Sequence, residues 1–193
     1  RLLVRAGSTK ILAPPKAAKE LFASRPMPRV SLNPSRRHML IVEGNRFRRI
    51  EGLASRVVAL AGVRINPLNN GPALPTYYVR MEMKDLGSGK QISLKLPKGS
   101  KRFSLPLWSP DGKWIAFTSQ MGGFNVCVIP SQGGEAKVIA SGEGPTWAPN
   151  SRNLIFTRRG VNKRMLAIVD VPTKQVKILP AFVGSASQPA WGK

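Results

Sequence analysis

Negative charge is what this chain has least of. Nine Asp and Glu stand against 31 Lys and Arg in 193 residues, giving a net charge of +22 and a pI near 11.5. So few acids cannot neutralise the bases internally, and the excess calls for a polyanion nearby: nucleic acid, an anionic membrane surface or an acidic protein. Attraction to phosphates is the commonest reason for such an excess. Cysteine is nearly absent as well. Cys127 alone excludes an internal disulfide framework and a zinc site, which needs three or four N/S ligands at motif spacing, and it fits a reducing or organellar matrix compartment. His38 is the single histidine. No apolar run approaches the roughly 20 residues of a membrane-spanning helix. The glycine pairs Gly122-Gly123 and Gly133-Gly134 are not followed by Lys-Ser or Lys-Thr, so they read as hairpin turns rather than phosphate loops, and no cofactor is implied.

What the chain does have is an internal repeat. Pro106-Leu107-Trp108-Ser109-Pro110-Asp111-Gly112-Lys113-Trp114-Ile115-Ala116-Phe117-Thr118 matches Pro145-Thr146-Trp147-Ala148-Pro149-Asn150-Ser151-Arg152-Asn153-Leu154-Ile155-Phe156-Thr157 in residue type at most positions. A third start lies at Pro189-Ala190-Trp191, and a fainter copy at Leu32 to Ile41 aligns Pro34 with Pro110 and Pro149. In each clear unit a Pro/Asp/Asn/Gly turn precedes a β-branched and aromatic strand, Trp114 to Thr118 or Asn153 to Thr157. A second strand follows at Asn125 to Ile129 or Leu166 to Val171, and a third at Ala136 to Ile139 or Val176 to Leu179. Strand and turn alternating at a period of roughly 40 residues is the pattern of propeller blades. A helical solenoid is disfavoured, because Pro and Gly interrupt every helical stripe.

These signals predict an all-β fold: a partial, open β-propeller of about three four-stranded blades with a basic N-terminal extension and one short helical insertion. The divisions are the extension over 1–27, a first blade region over 28–104 with a basic and loop-rich insertion at 44–76, blades over 105–144 and 145–188, and the start of a further blade at 189–193. Pro14-Pro15 can open a short helix from Lys16 to Phe22. Arg46 to Ile65 is basic with apolar residues at helical spacing, Asn66 to Pro75 reads as a loop, and Tyr77 to Met83 and Gln91 to Leu96 pair as a hairpin across Asp85-Leu86-Gly87-Ser88-Gly89.

Trp108-Ser109-Pro110-Asp111-Gly112 followed by Ile115-Ala116-Phe117 resembles the repeat shared by TolB-type propellers and the prolyl oligopeptidase family. Upstream, Pro14-Pro15, Pro28 to Arg37, Leu60-Ala61-Gly62-Val63-Arg64-Ile65-Asn66-Pro67 and Asn70-Gly71-Pro72 are similar to the N-terminal region of glutamyl endopeptidase-like members, found in bacteria and plant organelles. The resemblance covers roughly 11–193. It implies a seven- or eight-bladed propeller followed by an α/β-hydrolase domain with Ser, Asp and His. This sequence departs from that pattern. It holds no Gly-x-Ser-x-Gly elbow, and His38 aligns with Trp114 and Asn153 inside a strand, where a structural role is expected rather than that of the general base such a site needs. The segment between Glu43 and Leu60, typically Pro-rich and acidic in the family, is basic here.

Half of the excess charge lies in residues 1–64, which hold 14 basic and three acidic side chains. Candidate nucleic-acid contacts are Arg36 and Arg37 in the first turn; Arg46, Arg48, Arg49 and Arg56 in the insertion, with Phe47 available for stacking; Lys98, Lys101 and Arg102 beside Phe103; and Arg158, Arg159, Lys163 and Arg164 in a hairpin turn. The recurrent Trp108, Trp147 and Trp191 are assigned to packing between blades, Asp111 to capping its turn, and Cys127 to the core.

The expected function is that of a non-catalytic structural subunit of a large organellar ribonucleoprotein, most plausibly a mitochondrial ribosome. It would contact ribosomal RNA and neighbouring ribosomal proteins, with a partner protein covering the open propeller edges. The acid-poor N-terminus, like a transit peptide or its stub, points to the mitochondrial matrix or, alternatively, the chloroplast, although a basic tail reads equally well. Two alternatives stand. One is the N-terminal gating propeller of a glutamyl endopeptidase-like serine peptidase. The other is an accessory subunit of a mitochondrial membrane complex.

Overall fold

The computed structural model describes residues 15–17, 20, 27–44, 57–60, 63–66, 71–72, 77–160, 163–180, 184–186 and 189–191. Fifteen strands occur among them, and Lys16, Ala17 and Glu20 are helical. In chain order, β1 (Arg29–Leu32) and β2 (His38–Gly44) form an antiparallel pair. Three short strands, β3 (Val58–Leu60), β4 (Val63–Asn66) and β5 (Gly71–Pro72), then make a separate sheet. The main fold resumes with β6 (Tyr78–Asp85), paired to β2 on one edge and to β7 (Gln91–Ser93) on the other. The first blade is therefore β1-β2-β6-β7, with the small sheet inserted between its second and third strands. The second blade is β8 (Arg102–Trp108), β9 (Trp114–Gln120), β10 (Phe124–Pro130) and β11 (Lys137–Ser141). The third is β12 (Glu143–Trp147), β13 (Asn153–Arg159), β14 (Arg164–Asp170) and β15 (Val176–Ile178). Two backbone contacts link the first blade to the second: the pair Tyr78↔Phe103, and a parallel bridge Lys95↔Glu135 beyond β7, where the Ala136 N–H donates to Lys95 O at 3.1 Å.

Three blades and an unclosed sheet agree with the all-β, open-propeller expectation. The insertion differs from it. Helical spacing over Arg46 to Ile65 gives strands at Val58–Leu60 and Val63–Asn66, and the loop read over Asn66 to Pro75 contains β5. The β-branched residues Val57, Val58, Val63 and Ile65 favour extended backbone over helix. Residues 45–56, and the rest of the helix expected from Lys16 to Phe22, lie outside the described residues.

The faint upstream repeat is structurally the same turn. Arg36, Gly112 and Ser151 all hold positive φ (56°, 69° and 57°), and each donates its N–H to the carbonyl three residues back: Asn33, Ser109 and Ala148. A side chain closes each turn. Asn33 Oδ1 accepts from Arg37 and His38 N–H, Ser109 Oγ from Trp114 N–H, and Asn150 Oδ1 from Arg152 and Asn153 N–H. Asp111 Oδ1 accepts from Lys113 N–H, the capping role expected of it.

Two apolar layers lie between the blades. Leu40, Val42, Tyr78, Met81, Met83 and Leu94 of the first blade pack on Phe103, Ile115, Phe117, Cys127 and Ile129 of the second. The opposite face of the second blade, Ala116, Val126, Val128 and Ile139, packs on Trp147, Leu154, Phe156, Ala167 and Val169 of the third. Because β9 is buried on both faces, residues 115–119 read as a continuous run rather than an alternation. Trp147 Nε1 donates to Leu107 O at 3.2 Å and Trp191 Nε1 to Thr146 O at 3.3 Å. Trp147 and Trp191 thus each reach back to the residue preceding the Trp of the blade before, whereas the buried Trp108 Nε1 has no hydrogen-bond partner among the described residues.

Candidate polyanion interface

A meandering blade sends its first and third turns to one rim, and its second turn and the link to the next blade to the other. The first rim consists of turns at 33–37, 85–90, 109–113, 130–136, 148–153 and 170–175, and carries the acids Asp85, Asp111, Glu135 and Asp170. The second rim gathers the connections at 98–102, 120–124, 141–143 and 158–164. Among the described residues of these connections Glu143 is the acidic one, facing Lys98, Lys101, Arg102, Arg158, Arg159, Lys163 and Arg164. The insertion leaves from this same rim, between Gly44 and Tyr78, which pair across β2 and β6.

Two of the expected basic clusters therefore share a rim. Lys98, Lys101, Arg102, Arg158, Arg159, Lys163 and Arg164 are all exposed. Two of the seven are engaged within the chain: Arg164 Nη1 lies 3.5 Å from a Glu143 carboxylate oxygen, and the Arg102 guanidinium sits 5.2 Å from the Tyr77 ring centroid. Arg36 and Arg37 are exposed on the opposite rim and do not join this group. Arg46, Arg48, Arg49 and Arg56, with Phe47, lie outside the described residues. Phe103 is not a stacking surface, being 1% exposed and packed edge-on against Phe117. The sequence reading missed Tyr77 as the partner of Arg102 and Phe124 as the rim's aromatic, 40% exposed after the Gly122-Gly123 turn. A Gly-Gly turn followed by an aromatic at a strand start was the available signal.

On the turn rim two of the four acids, Asp85 and Asp170, have a basic partner. Asp170 Oδ2 lies 2.5 Å from Arg152 Nε, and its Oδ1 accepts from the Thr173 N–H and hydroxyl, which holds its carboxyl at about 2, below the usual range. The Asp85 carboxyl is also lowered, mainly by the N–H of Ser88 and then of Gly87, with a smaller contribution from His38, whose Nε2 lies 3.4 Å away. His38 thus occupies a strand start with its Nδ1 3.3 Å from Asn33 Nδ2. Cys127 is fully buried between the first two blades, and burial pushes its thiol up to about 12.

No protein-family model matches this chain. It is 28% identical over 90 residues to the Tol-Pal system protein TolB of Hydrogenovibrio crunogenus, covering 45% of this chain and 21% of that protein. Over 166 residues it is 25% identical to a chloroplastic glutamyl endopeptidase of Oryza sativa subsp. japonica, covering 75% of this chain and 18% of the relative. The chain thus spans about a fifth of the length of the curated relatives it matches. Among solved structures, TolB from Acinetobacter baumannii superposes with a TM-score of 0.55 at 18% identity, over 87% of this chain and 35% of that one. The chain is an open β-propeller related to those of TolB and of glutamyl endopeptidase.

Proposed function

We propose that this chain is a non-catalytic, RNA-contacting structural subunit of a large organellar ribonucleoprotein, the mitochondrial ribosome being the particle its charge fits best. The observation that carries the reading is the imbalance between the rims: four acids offset Arg36, Arg37, Lys90, Lys113, Arg152 and Lys174 at the turn rim, whereas at the other Glu143 alone among the described residues of the connections stands against seven bases, of which Lys98, Lys101, Arg158, Arg159 and Lys163 have no ion pair among the described residues. Flexible cations on loops neutralise phosphates and release counterions without reading bases. Neighbouring ribosomal proteins would cover the open blade faces. Held at its strand start between Asn33 and Asp85, His38 fits a structural role.

The test is binding of a labelled RNA across a salt series. Replacing Lys98, Lys101, Arg158, Arg159 and Lys163 with Gln lowers the log–log salt slope by about 0.7 to 0.9 for each phosphate that is no longer neutralised. Replacing Lys113 and Lys174 on the turn rim leaves the slope unchanged. Equal slopes for the two variants overturn the reading, as does slow, ribonuclease-insensitive sedimentation of the tagged protein from organelle lysate. A second reading is favoured by the match to the rice peptidase over 75% of the chain: a propeller acting with a serine hydrolase domain. A hydrolase captured by an active-site serine probe in the same complex would establish it.

A further inference from the structure

Between the first two blades the turn rim opens into a cleft of about 380 Å³. One wall comes from the turns of the first blade, with Asn33, Arg37, His38 and Asp85. The other comes from the turns of the second, with Asp111, Lys113, Ser131 and Gln132. The walls meet at Gly112, where a Cβ would stand 3.1 Å from Asn33 Nδ2. No apolar side chain lines the cleft. An apolar ligand therefore gains little there, and whatever the cleft takes is held by hydrogen bonds and charge.

The acceptors of this cleft are largely engaged by the fold, and the donors are not. Asp85 Oδ1 takes the N–H groups of Gly87 and Ser88 at 2.8 and 2.9 Å, and its Oδ2 faces His38. Asp111 Oδ1 takes the Ser109 hydroxyl at 2.5 Å and the Lys113 N–H at 3.1 Å. Asn33 is used at both ends of its amide, donating to Ser35 Oγ and accepting from the N–H groups of Arg37 and His38. By contrast, the Arg37 guanidinium, the Lys113 ammonium, the Gln132 amide and the Ser131 hydroxyl have no hydrogen bond or ion pair among the described residues. Ser131 is 4% exposed. A hydroxyl that deep destabilises the fold unless something in the cleft completes its hydrogen bonds.

An Arg fork on one wall and an ammonium and a hydroxyl on the other offer more directed donors than the two oxygens of a carboxylate use. They match the three terminal oxygens of a phosphate monoester. We propose that this cleft binds a small phosphate monoester, its phosphoryl oxygens held across the cleft by Arg37, Lys113 and the Ser131 hydroxyl. The volume leaves room for a sugar-sized body, whose hydroxyls meet the Gln132 amide and the remaining Oδ2 of Asp111. The site is separate from the basic rim on the far side of the blades and does not depend on contact with RNA.

Titration calorimetry of the full chain with ribose 5-phosphate, inorganic phosphate and ribose as probes tests the assignment. Ribose 5-phosphate binds one to one, inorganic phosphate binds more weakly, and ribose does not bind. Arg37→Gln and Ser131→Ala each weaken the ester about tenfold, the loss of one charge-assisted hydrogen bond, whereas Arg158→Gln on the far rim leaves its affinity unchanged. Ser131→Ala also separates binding from folding. Removing an unpartnered buried hydroxyl leaves the ligand-free denaturation midpoint the same or higher, and a lower midpoint would mean that the hydroxyl serves the fold and not a ligand. That result sinks the proposal. So does failure of the ester to bind, equal binding of ribose or inorganic phosphate, or affinity that survives both substitutions.

Discussion

Asp170 is where single-residue electrostatics has a measurable consequence. Its carboxyl is held at about 2, against an ordinary 3.8, chiefly by the hydrogen bond from Arg152. A lowered carboxylate favours the folded state in full above its ordinary value, and that contribution is lost as the pH falls from there toward 2. Denaturant midpoints measured across this range are expected to fall less steeply in Asp170→Asn than in the parent, and identical limbs would remove the pair from any role in acid stability. Gly142 illustrates a steric constraint. A Cβ there would meet Thr157 O at 2.6 Å and the Phe156 ring, so Gly142→Ala must push β12 off β13, at a cost of about 1–3 kcal/mol in chemical denaturation. At Trp147, replacement by Phe leaves the Leu107 carbonyl without its buried donor. The expected loss is about 1–3 kcal/mol, whereas Trp191→Phe, at an indole that is 37% exposed, loses less.

At the scale of elements, the outer three strands of each clear blade were legible in the sequence because β-branched and aromatic runs alternate there with Pro, Asn and Gly turns. The innermost strands β8 and β12 were not. Each contains a proline, Pro106 or Pro145, which argues against a strand. The fold accommodates both at register shifts, between Ser104 and Leu107 and between Glu143 and Thr146, where no ladder partner is paired with the proline. The positive-φ turn at Arg36 was legible only through Pro34, since neither Ser35 nor Arg36 resembles Asp111-Gly112. For the candidate site, the sequence showed the basic clusters but not their shared rim. That grouping follows from strand direction and blade order, which local composition does not encode. The strand signal in the insertion was outweighed by apolar spacing that also suits a helix.

For the whole molecule, the second blade differs from its neighbours in kind. Both apolar layers end on it, while the first and third blades each own one. Leu154→Ala, in the layer between the second and third blades, is expected to cost about 2–5 kcal/mol, and to loosen the third blade while the Tyr78–Phe103–Phe117 contacts persist. Stacked units that touch only their neighbours open from the ends inward. In a hydrogen–deuterium exchange experiment the amides of β1 and β15 should therefore fill with deuterium first and those of β9 last, so that the order of isotope uptake along the chain traces the order of the blades in space.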